Sequence, residues 1–295
     1  MKEDILIFGG LLLDRYIKID RWPERGQDGF MTDAMKFTGG CAINMAVAAH
    51  NLTQEDNDSL KIHVVSAMGS DAAAGDIITY MNVHGLSLAY TCDAKGPTGS
   101  CLVFVEPDGE RTFLTRKGVE GDVSPELLKK IKNNGCKVAG VSGYYLLNDT
   151  ADQILECLEY LKIEGTKILF DPSPLAGDIK ADILEDMLRI ADVITPNMSE
   201  LSVLGGSEKI SEWCAAGKTI ILKSGAEGGS VYTPNESFDY NAHLVEPVDT
   251  TGAGDSFSGA LLYAMAKGLS IHEAVDLAIE SAAKAVMVFG PHGFW

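Results

Sequence analysis

The sequence has few basic residues for its length. Its 295 residues include 24 Lys and Arg against 42 Asp and Glu, a formal net charge of −18 at pH 7. Nucleic-acid backbones and anionic membranes are bound by basic faces, so we expect neither kind of partner. A phosphorylated ligand would need backbone N–H groups, a helix N-terminus or a metal ion.

The sequence also lacks paired cysteines and long apolar runs. Its six cysteines form no Cys-x-x-Cys pair, and no histidine cluster has zinc spacing, which is typical of buried thiols in a reducing compartment. No apolar run approaches the roughly 18 residues of a membrane span. The first apolar run, in "MKEDILIFGG", is too short for a signal peptide. We therefore expect a cytoplasmic protein.

Two common nucleotide-binding motifs are absent. "AAGKT" at 215–219 ends like a Walker loop, but Glu212 stands where that loop needs its first glycine. A helix end at Gly217 followed by a strand explains this stretch better. No Rossmann fingerprint follows the first apolar run.

Short apolar runs alternate with helical patterns along most of the chain. This alternation predicts βαβ units and a mostly parallel sheet with helices on both faces, where ligands bind beyond the carboxyl ends of the strands. The runs lie at 5–10, 62–69, 137–143, 167–173, 192–197 and 219–225, and clear helical patterns at Ala42–Leu52, Pro125–Asn133, Thr150–Glu164 and Ile179–Ile190.

One region departs from this alternation. Residues 100–116, "SCLVFVEPDGERTFLTR", alternate apolar and polar around a Pro-Asp-Gly turn, which predicts a β-hairpin. Segment 11–38 has no convincing helix, so the two segments together suggest a small β-rich appendage. A second hairpin is predicted at 229–241.

The stretch "DTTGAGDSFSG" at 249–259 carries the chemistry. It predicts a loop over Thr250–Gly254 and a helix from Asp255 to about Lys267. Backbone N–H groups at a helix N-terminus are unpaired and partly positive, and glycines let an anion approach them. The turn therefore suits an anion, although Asp255 as an ordinary N-terminal helix charge is the alternative.

These motifs together resemble the ribokinase-like, or PfkB, carbohydrate kinase family. "GGCAINMAVAAHNL" at 39–52 resembles its N-terminal signature, "TPNMSE" at 195–200 its Asn-x-x-Glu motif, and 249–262 its C-terminal signature. The resemblance covers essentially the whole chain. It implies a three-layer α/β/α fold with a mostly parallel central sheet and a small β-sheet lid; the body would comprise 1–10, 39–97 and 119–295, and the lid 11–38 and 98–118.

The resemblance implies a catalytic role for Asp255. It would accept the proton of an acceptor hydroxyl as that oxygen attacks the γ-phosphate of ATP, while Gly252, Ala253 and Gly254 form the anion hole. Aspartate is a weak base, and a helix N-terminus should weaken it further. We therefore expect Asp255 mainly to orient the hydroxyl.

The resemblance also implies nucleotide and metal contacts. Asn197 and Glu200 would lie near Mg²⁺ and the ATP phosphates, with Glu200 reaching the ion through water; a capping box is the alternative for this pair. Lys223 would reach the phosphates unless it is a solvated strand-end charge. The other nucleotide-binding positions implied are Gly225, Gly228, Gly252 and Gly254.

The acceptor would be bound at the N-terminal motifs. The resemblance implies Asp14, Gly39, Gly40 and Asn44, because a carboxylate and an amide suit the hydroxyls of a sugar. Asp14 as an exposed turn residue and Asn44 as a helix cap are the alternatives. Many sugar-acid kinases of the group carry an arginine after "FDP", and 170–180 contains none, which favours a neutral sugar.

Asp249 and Thr251 match positions that help hold a monovalent cation such as K⁺ in many relatives. Carbonyl groups from a C-terminal loop complete that site, here near "FGPHGFW" at 289–295. Arg111, in the predicted hairpin, is either a lid residue that binds substrate or phosphate, or an exposed strand charge.

The sequence therefore predicts an ATP-dependent kinase acting on a hydroxyl of a small neutral sugar. A nucleoside kinase of the same fold is the alternative, and a catalytically silent ribokinase-like binding or regulatory protein is the alternative of another class. The lid is predicted to close over the acceptor and to pair with a second lid in a homodimer. Positions able to cover a sugar or a partner sheet are Leu102, Phe104, Thr112 and Leu114.

Overall fold

A large sheet of nine strands forms the centre of the molecule in the computed structural model, which describes residues 4–292. With strands numbered along the chain, its members are Ile5–Phe8 (β1), Ile62–Met68 (β4), Thr91–Asp93 (β5), Val138–Ser142 (β8), Lys167–Asp171 (β9), Val193–Ile194 (β10), Thr219–Lys223 (β11), Gly229–Tyr232 (β12) and Ser237–Tyr240 (β13). Their order is β13-β12-β11-β10-β9-β8-β1-β4-β5. All neighbours pair in parallel except β11 with β12 and β12 with β13. The mostly parallel sheet is confirmed, as is the hairpin at 229–241.

Helices cover both faces of this sheet. They are Cys41–Glu55 (α1), Ala72–Val83 (α2), Pro125–Asn134 (α3), Ala151–Ile163 (α4), Ala181–Ile190 (α5), Met198–Val203 (α6), Glu208–Ala215 (α7), Ala253–Lys267 (α8) and Ile271–Val286 (α9). Alternate residues of β1 point to opposite faces: Leu6 and Phe8 join the core beneath α3, α4 and α5, whereas Ile5 and Ile7 join the core beneath α1, α8 and α9. The three-layer α/β/α fold is therefore confirmed.

A second, four-stranded sheet forms the appendage. Its strands are Leu12–Ile19 (β2), Met31–Gly39 (β3), Gly99–Val105 (β6) and Arg111–Arg116 (β7), in the order β3-β2-β6-β7. The hairpin predicted at 100–116 is confirmed as β6 and β7. We call these four strands the lid sheet.

The two faces of the lid sheet have different surroundings. Asp14 pairs with Cys101, and Arg15 pairs with Leu102, which in turn pairs with Leu114. Partners in register share a face and successive residues alternate, so Leu102, Phe104, Thr112 and Leu114 lie on the face opposite Asp14. Two roles were predicted for these positions, and the first, covering a sugar beside Asp14, is wrong. The second, covering a partner sheet, stays a prediction.

Four predicted helix starts need correction. The helices predicted to begin at Thr150 and Ile179 begin at Ala151 and Ala181. The helix predicted at Ala42 begins at Cys41 and runs to Glu55, and the helix predicted at Asp255 begins at Ala253. Ala253 and Gly254 have too little side chain to show helical periodicity, which hid this first turn. All six cysteines are free thiols; Cys101, Cys136 and Cys157 are buried as expected, whereas Cys41, Cys92 and Cys214 are partly exposed. Within residues 4–292, every helix is too short or too polar to cross a membrane.

Candidate active site

The segment that leads into α8, Thr250–Gly254, includes the first two residues of the helix and is held in a shape that requires glycine. Gly252 caps the helix with a φ of 76°, and a Cβ there would lie 1.9 Å from the carbonyl oxygen of Pro291. The first N–H groups of α8 have no intrahelical partner; that of Ala253 bonds to the carbonyl oxygen of Thr250 over 3.3 Å, and Gly254 is exposed. We call this segment the anion turn, because its N–H groups and its bare backbone suit a phosphate.

Asp255 follows the anion turn and is held by the start of α1. Nδ2 of Asn44 donates a hydrogen bond to Oδ2 of Asp255 over 2.7 Å. The Cys41 thiol also interacts with this carboxylate. Sequence reasoning missed Cys41, and the glycine pair before it was the available signal that a residue here faces a site.

The expectation that Asp255 is a weak base is wrong. Burial raises the pKa of Asp255 to about 7, and the charge of Asp171 adds to the rise, while the hydrogen bond from Asn44 opposes it. The helix N-terminus favours the ionised form, but the loss of water around the carboxylate is the larger effect. A carboxylate with this pKa accepts a proton efficiently near neutral pH.

Two of the predicted acceptor residues, Asn44 and Asp14, lie near the same carboxylate. Asp14 lies within β2 and is 8% exposed, so it is not an exposed turn residue. Burial and the charge of Asp255 raise the pKa of Asp14 to about 7. A Cβ at Gly39 would lie 1.9 Å from Oδ2 of Asp14, and one at Gly40 would lie 2.3 Å from a backbone oxygen of Gly10. Gly39 therefore makes room for Asp14, and Gly40 allows the close approach of the Gly10 backbone.

The side-chain oxygen of Asn44 takes no part in the hydrogen bond to Asp255. This atom, Oδ1, is buried and has no hydrogen-bond partner among the residues that the structure describes. A buried acceptor without a donor is costly, and a ligand hydroxyl would satisfy it. Asn44 is therefore more than a helix cap, since the side chain makes no cap hydrogen bond at the start of α1.

A second network lies on the other side of the anion turn. Nζ of Lys223 donates to Oδ2 of Asp171 over 3.0 Å, and Oγ of Ser258 donates to the same oxygen over 2.6 Å. Burial would lower the pKa of Lys223, but the charges of Asp171 and Glu200 outweigh it and the pKa is raised. Lys223 is thus not a solvated strand-end charge, and a Cβ on Gly254 would lie 3.7 Å from its Nζ.

Sequence reasoning missed Asp171 and Ser258. Asp171 is the last residue of the buried strand β9, and that place at the carboxyl end of a central strand was the available signal. Ser258 lies one helical turn after Asp255 on α8, where the apolar run concealed it.

A cavity of about 410 Å³ opens beside Lys223 and the anion turn. It brings together four of the predicted nucleotide-binding residues, Lys223, Gly225, Gly228 and Gly254, whereas Gly252 and Asn197 do not line it. Its walls are mostly apolar, as ligand cavities usually are. They include Leu244, Val245, Pro247, Phe257, Ile279, Ala282 and Val286.

Asn197 and Glu200 form a capping box at the start of α6. Oδ1 of Asn197 accepts from the N–H of Glu200, and the Glu200 carboxylate accepts from the N–H of Asn197 over 2.8 Å. Glu200 is 5% exposed, and burial raises its pKa, partly offset by the charge of Lys223. Across residues 4–292, no three His, Cys, Asp or Glu side chains are grouped so that they could hold a metal ion.

Asp249, just before the anion turn, is fully buried and surrounded by donors. Its Oδ1 accepts from the N–H of Thr251 over 2.8 Å, and its Oδ2 accepts from the N–H of Gly290 over 3.1 Å. Nη2 of Arg111, from β7, lies 3.1 Å from Oδ1. The Arg111 side chain is 16% exposed, so Arg111 is not an exposed strand charge.

Comparison with known sequences gives a match along nearly the whole chain. Residues 2–293 match the family model described as pfkB family carbohydrate kinase. An uncharacterised sugar kinase of Escherichia coli, YegV, is 28% identical over 285 residues, covering 94% of this chain and 86% of that protein. A ribokinase of Bacillus subtilis is 26% identical over 293 residues, covering 99% of this chain and 95% of that protein.

Solved structures show the same fold. The ribokinase of Thermotoga maritima superimposes with a TM-score of 0.81 at 22% identity, covering 97% of this chain and 94% of that chain. An Arabidopsis thaliana ribokinase solved with ribose and ATP gives 0.77 at 23% identity, covering 98% and 94%. The chain belongs to the pfkB family of carbohydrate kinases, and it is a phosphotransferase with an alcohol group as acceptor.

Proposed function

We propose that the protein transfers the γ-phosphate of ATP to a hydroxyl of a small neutral sugar. One observation carries the proposal: the carboxylate of Asp255, with a pKa near 7, lies between the anion turn and the paired acceptor residues Asp14 and Asn44. A base, an anion-binding backbone and an unsatisfied acceptor for a hydroxyl thus meet at one place.

The acceptor would be held by its hydroxyl groups. The Asp14 carboxylate and the Oδ1 of Asn44, which has no partner among the described residues, would each accept a hydrogen bond from one of two neighbouring hydroxyls of a sugar. Asp255 would receive the proton of the reacting hydroxyl as its oxygen attacks phosphorus. Asn44 would keep the Asp255 carboxylate in place through the bond from its Nδ2.

The phosphate chain would lie against the anion turn and Lys223. N–H groups at the start of α8 would stabilise charge on the transferring phosphoryl group, at a point where charge stabilisation supplies most of the catalysis. Lys223, held by Asp171, would meet the phosphates from the cavity side. The apolar cavity would accept the rest of the nucleotide.

Glu200 and Asn197 suit Mg²⁺ only through water. Their oxygens already accept the capping-box hydrogen bonds, so they would contact a hydrated ion that is carried by ATP. Mg²⁺ keeps several waters and is usually bound through one or two carboxylates and substrate phosphates. When bound, the ion would neutralise phosphate charge, which this acidic chain otherwise repels.

The curated relatives support a sugar rather than a nucleoside as acceptor, since those cited above are a sugar kinase and a ribokinase. The fold itself does not discriminate: a nucleoside kinase of Burkholderia thailandensis solved with inosine superimposes with a TM-score of 0.79 at 21% identity. A nucleoside kinase therefore stays the alternative.

An ATP-consumption screen tests the proposal. The purified protein is incubated with Mg²⁺, ATP and, in turn, pentoses, hexoses, sugar acids and nucleosides, with Asp255→Asn as the inactive control. We expect consumption with a neutral pentose or hexose. Consumption with nucleosides alone would establish the alternative, and ATP binding without turnover on any acceptor would contradict the proposal.

We also propose that two copies pair through the outer face of the lid sheet. That face carries Leu102, Phe104 and the 58% exposed Leu114, and β3 and β7 are open edges. Light scattering after size exclusion should give twice the chain mass of 31.6 kDa. Leu114→Arg should give the monomer mass, whereas Leu175→Arg, at an exposed site on the body, should not. A monomeric wild type would contradict this pairing.

Closure of the lid has a separate test. We expect amide protons of 100–116 to exchange more slowly once the acceptor identified by the screen is bound. Unchanged exchange would rule out closure over the acceptor, whether or not the protein is a dimer.

A further inference from the structure

The site at Asp249 does not fit the monovalent cation that the family resemblance implied. A carboxylate offers about four lone-pair positions, and three donors already meet that of Asp249: two backbone N–H groups and the guanidinium of Arg111. The C-terminal loop turns an N–H group of Gly290 toward it, whereas a cation requires carbonyl oxygens. Residues 293–295 of that loop lie outside the described residues.

Arg111 also supplies the charge that a cation would bring. Its guanidinium is 3.1 Å from the buried carboxylate, whose side chain has no solvent exposure. A K⁺ ion about 4 Å from the guanidinium would be repelled, and at an effective dielectric constant of about 20 its affinity would fall about a thousandfold. The charge of Arg111 already neutralises that of Asp249, so the site offers no further negative charge to a K⁺ ion.

An aromatic cluster lies near the pair, since Tyr16 interacts electrostatically with both Asp249 and Arg111. Tyr16 is fully buried, and its ring meets Phe37 and Phe289 at centroid distances of 5.0 and 5.6 Å. Nζ of Lys18 lies over the Phe289 ring at 5.2 Å and adds a second lid cation to this region. Both positive groups come from strands of the lid sheet.

We infer that Arg111 takes the place of the monovalent cation, so that this kinase needs no K⁺ and its anion turn is ordered by the lid sheet instead. Arg111 is then a positioning residue. It acts through Asp249, whose Oδ1 holds the N–H of Thr251 within the anion turn. A free ion can bind whether the lid sheet is seated or not, whereas Arg111 reaches Asp249 only when β7 is in place.

The test compares melting temperatures in KCl and in tetramethylammonium chloride of equal ionic strength. It needs no acceptor, so its outcome is independent of the proposed function. We expect the wild type to melt at the same temperature in both salts. Arg111→Met should melt lower in tetramethylammonium, and KCl should raise its melting temperature by roughly 2–4 °C, the shift for a site filled to about five times its dissociation constant.

Three variants serve as controls. Arg25→Met removes an exposed charge from the loop between β2 and β3 and should behave as the wild type does. Arg111→Lys keeps the charge and should remain insensitive to K⁺. Arg111→Met combined with Asp249→Asn removes both charges, so the response to K⁺ should disappear.

Two results would overturn the inference. One is a wild type that KCl stabilises over tetramethylammonium, and the other is a folded Arg111→Met protein that does not respond to K⁺. If Arg111→Met does not fold, the wild type and Arg111→Lys decide the question, since K⁺ should stabilise neither of them.

Discussion

Asp249 and Asp255 lie at the two ends of the same turn, yet their surroundings differ. Asp249 meets a guanidinium and two backbone N–H groups. Asp255 meets an amide and a thiol, with Asp14 and Asp171 as acidic neighbours. At Asp255 the loss of water and the charge of Asp171 outweigh the groups that favour ionisation, so the pKa is raised. The carboxylate of Asp249 instead holds the backbone of the anion turn through the N–H of Thr251.

The largest expected effect is the loss of turnover on changing Asp255 to Asn. An amide cannot accept the hydroxyl proton, so kcat should fall about 10²–10⁴-fold, while ATP affinity stays within a few-fold. Steady-state kinetics and calorimetric ATP titration measure the two quantities. Asp276→Asn, the same change at an exposed site on α9, is the control, and near-normal turnover by Asp255→Asn would remove this residue from the chemistry.

Replacing Asp249 or Asp255 by Asn should change the free energy of unfolding in opposite directions. Asp249→Asn leaves Arg111 without a charge partner and sets an amide N–H₂ against a backbone N–H, so the free energy of unfolding should fall by about 3–5 kcal/mol. Asp255→Asn should instead raise it at pH 8, by about 1–3 kcal/mol after allowance for partial solvent contact.

The sign of the second effect follows from the pKa values. The pKa of Asp255 is 3.8 for an ordinary aspartate and about 7 in the folded protein. The folded state therefore holds this proton more tightly, and wild-type stability is lost as pH rises from about 4 to about 7. The advantage of Asp255→Asn should grow over that range in chemical denaturation, and an advantage that is constant with pH would contradict the raised pKa.

Glu200 tests whether a carboxylate that is already hydrogen-bonded can also serve catalysis. Glu200→Gln keeps the capping box, because glutamine also accepts from the N-cap N–H, but it removes the negative charge. The Mg²⁺ concentration for half-maximal rate should rise about tenfold, as for groups that hold a metal through water. An unchanged Mg²⁺ requirement with an unchanged melting temperature would leave Glu200 a purely structural residue like Asp249.

The smallest expected effect concerns Asp14. The base must be unprotonated in the free enzyme, so kcat/KM should rise with pH and level off above about 7. The charge of Asp255 raises the pKa of Asp14, and repulsion between two carboxylates is mutual. Asp14→Asn removes one of the two charges and should move this limb to lower pH by up to about one unit. A limb that stays in place would show that the two carboxylates do not interact.

The fold was predictable because its signals are local. The strand and helix patterns of the body and the Pro-Asp-Gly hairpin were readable from short stretches, and so were the glycines and Asp255 of the anion turn. The partners of those residues were not. Two ion pairs join distant positions: Asp171 and Lys223 are 52 residues apart, and Arg111 and Asp249 are 138 residues apart. No short stretch of sequence predicts which of these charged residues will pair.

The prediction that Asp255 is a weak base was wrong for a related reason. A helix N-terminus is visible in the sequence and lowers a carboxyl pKa, whereas the packing of α1 against α8 that removes water is not visible. The face of the lid sheet that carries Leu114 was also undecided, because alternation shows that two faces exist but not which one meets the body.

Gly290 and Pro291 have a consequence for the order of assembly. The anion turn is closed by the N–H of Gly290 on Asp249 and by the carbonyl of Pro291 against Gly252. A chain made from its N-terminus has the core strands and the glycine motif of α1 long before residues 290 and 291 leave the ribosome. The phosphate site is therefore completed only after residues 290 and 291 have left the ribosome, and a chain that still lacks them has an anion turn without its closing contacts.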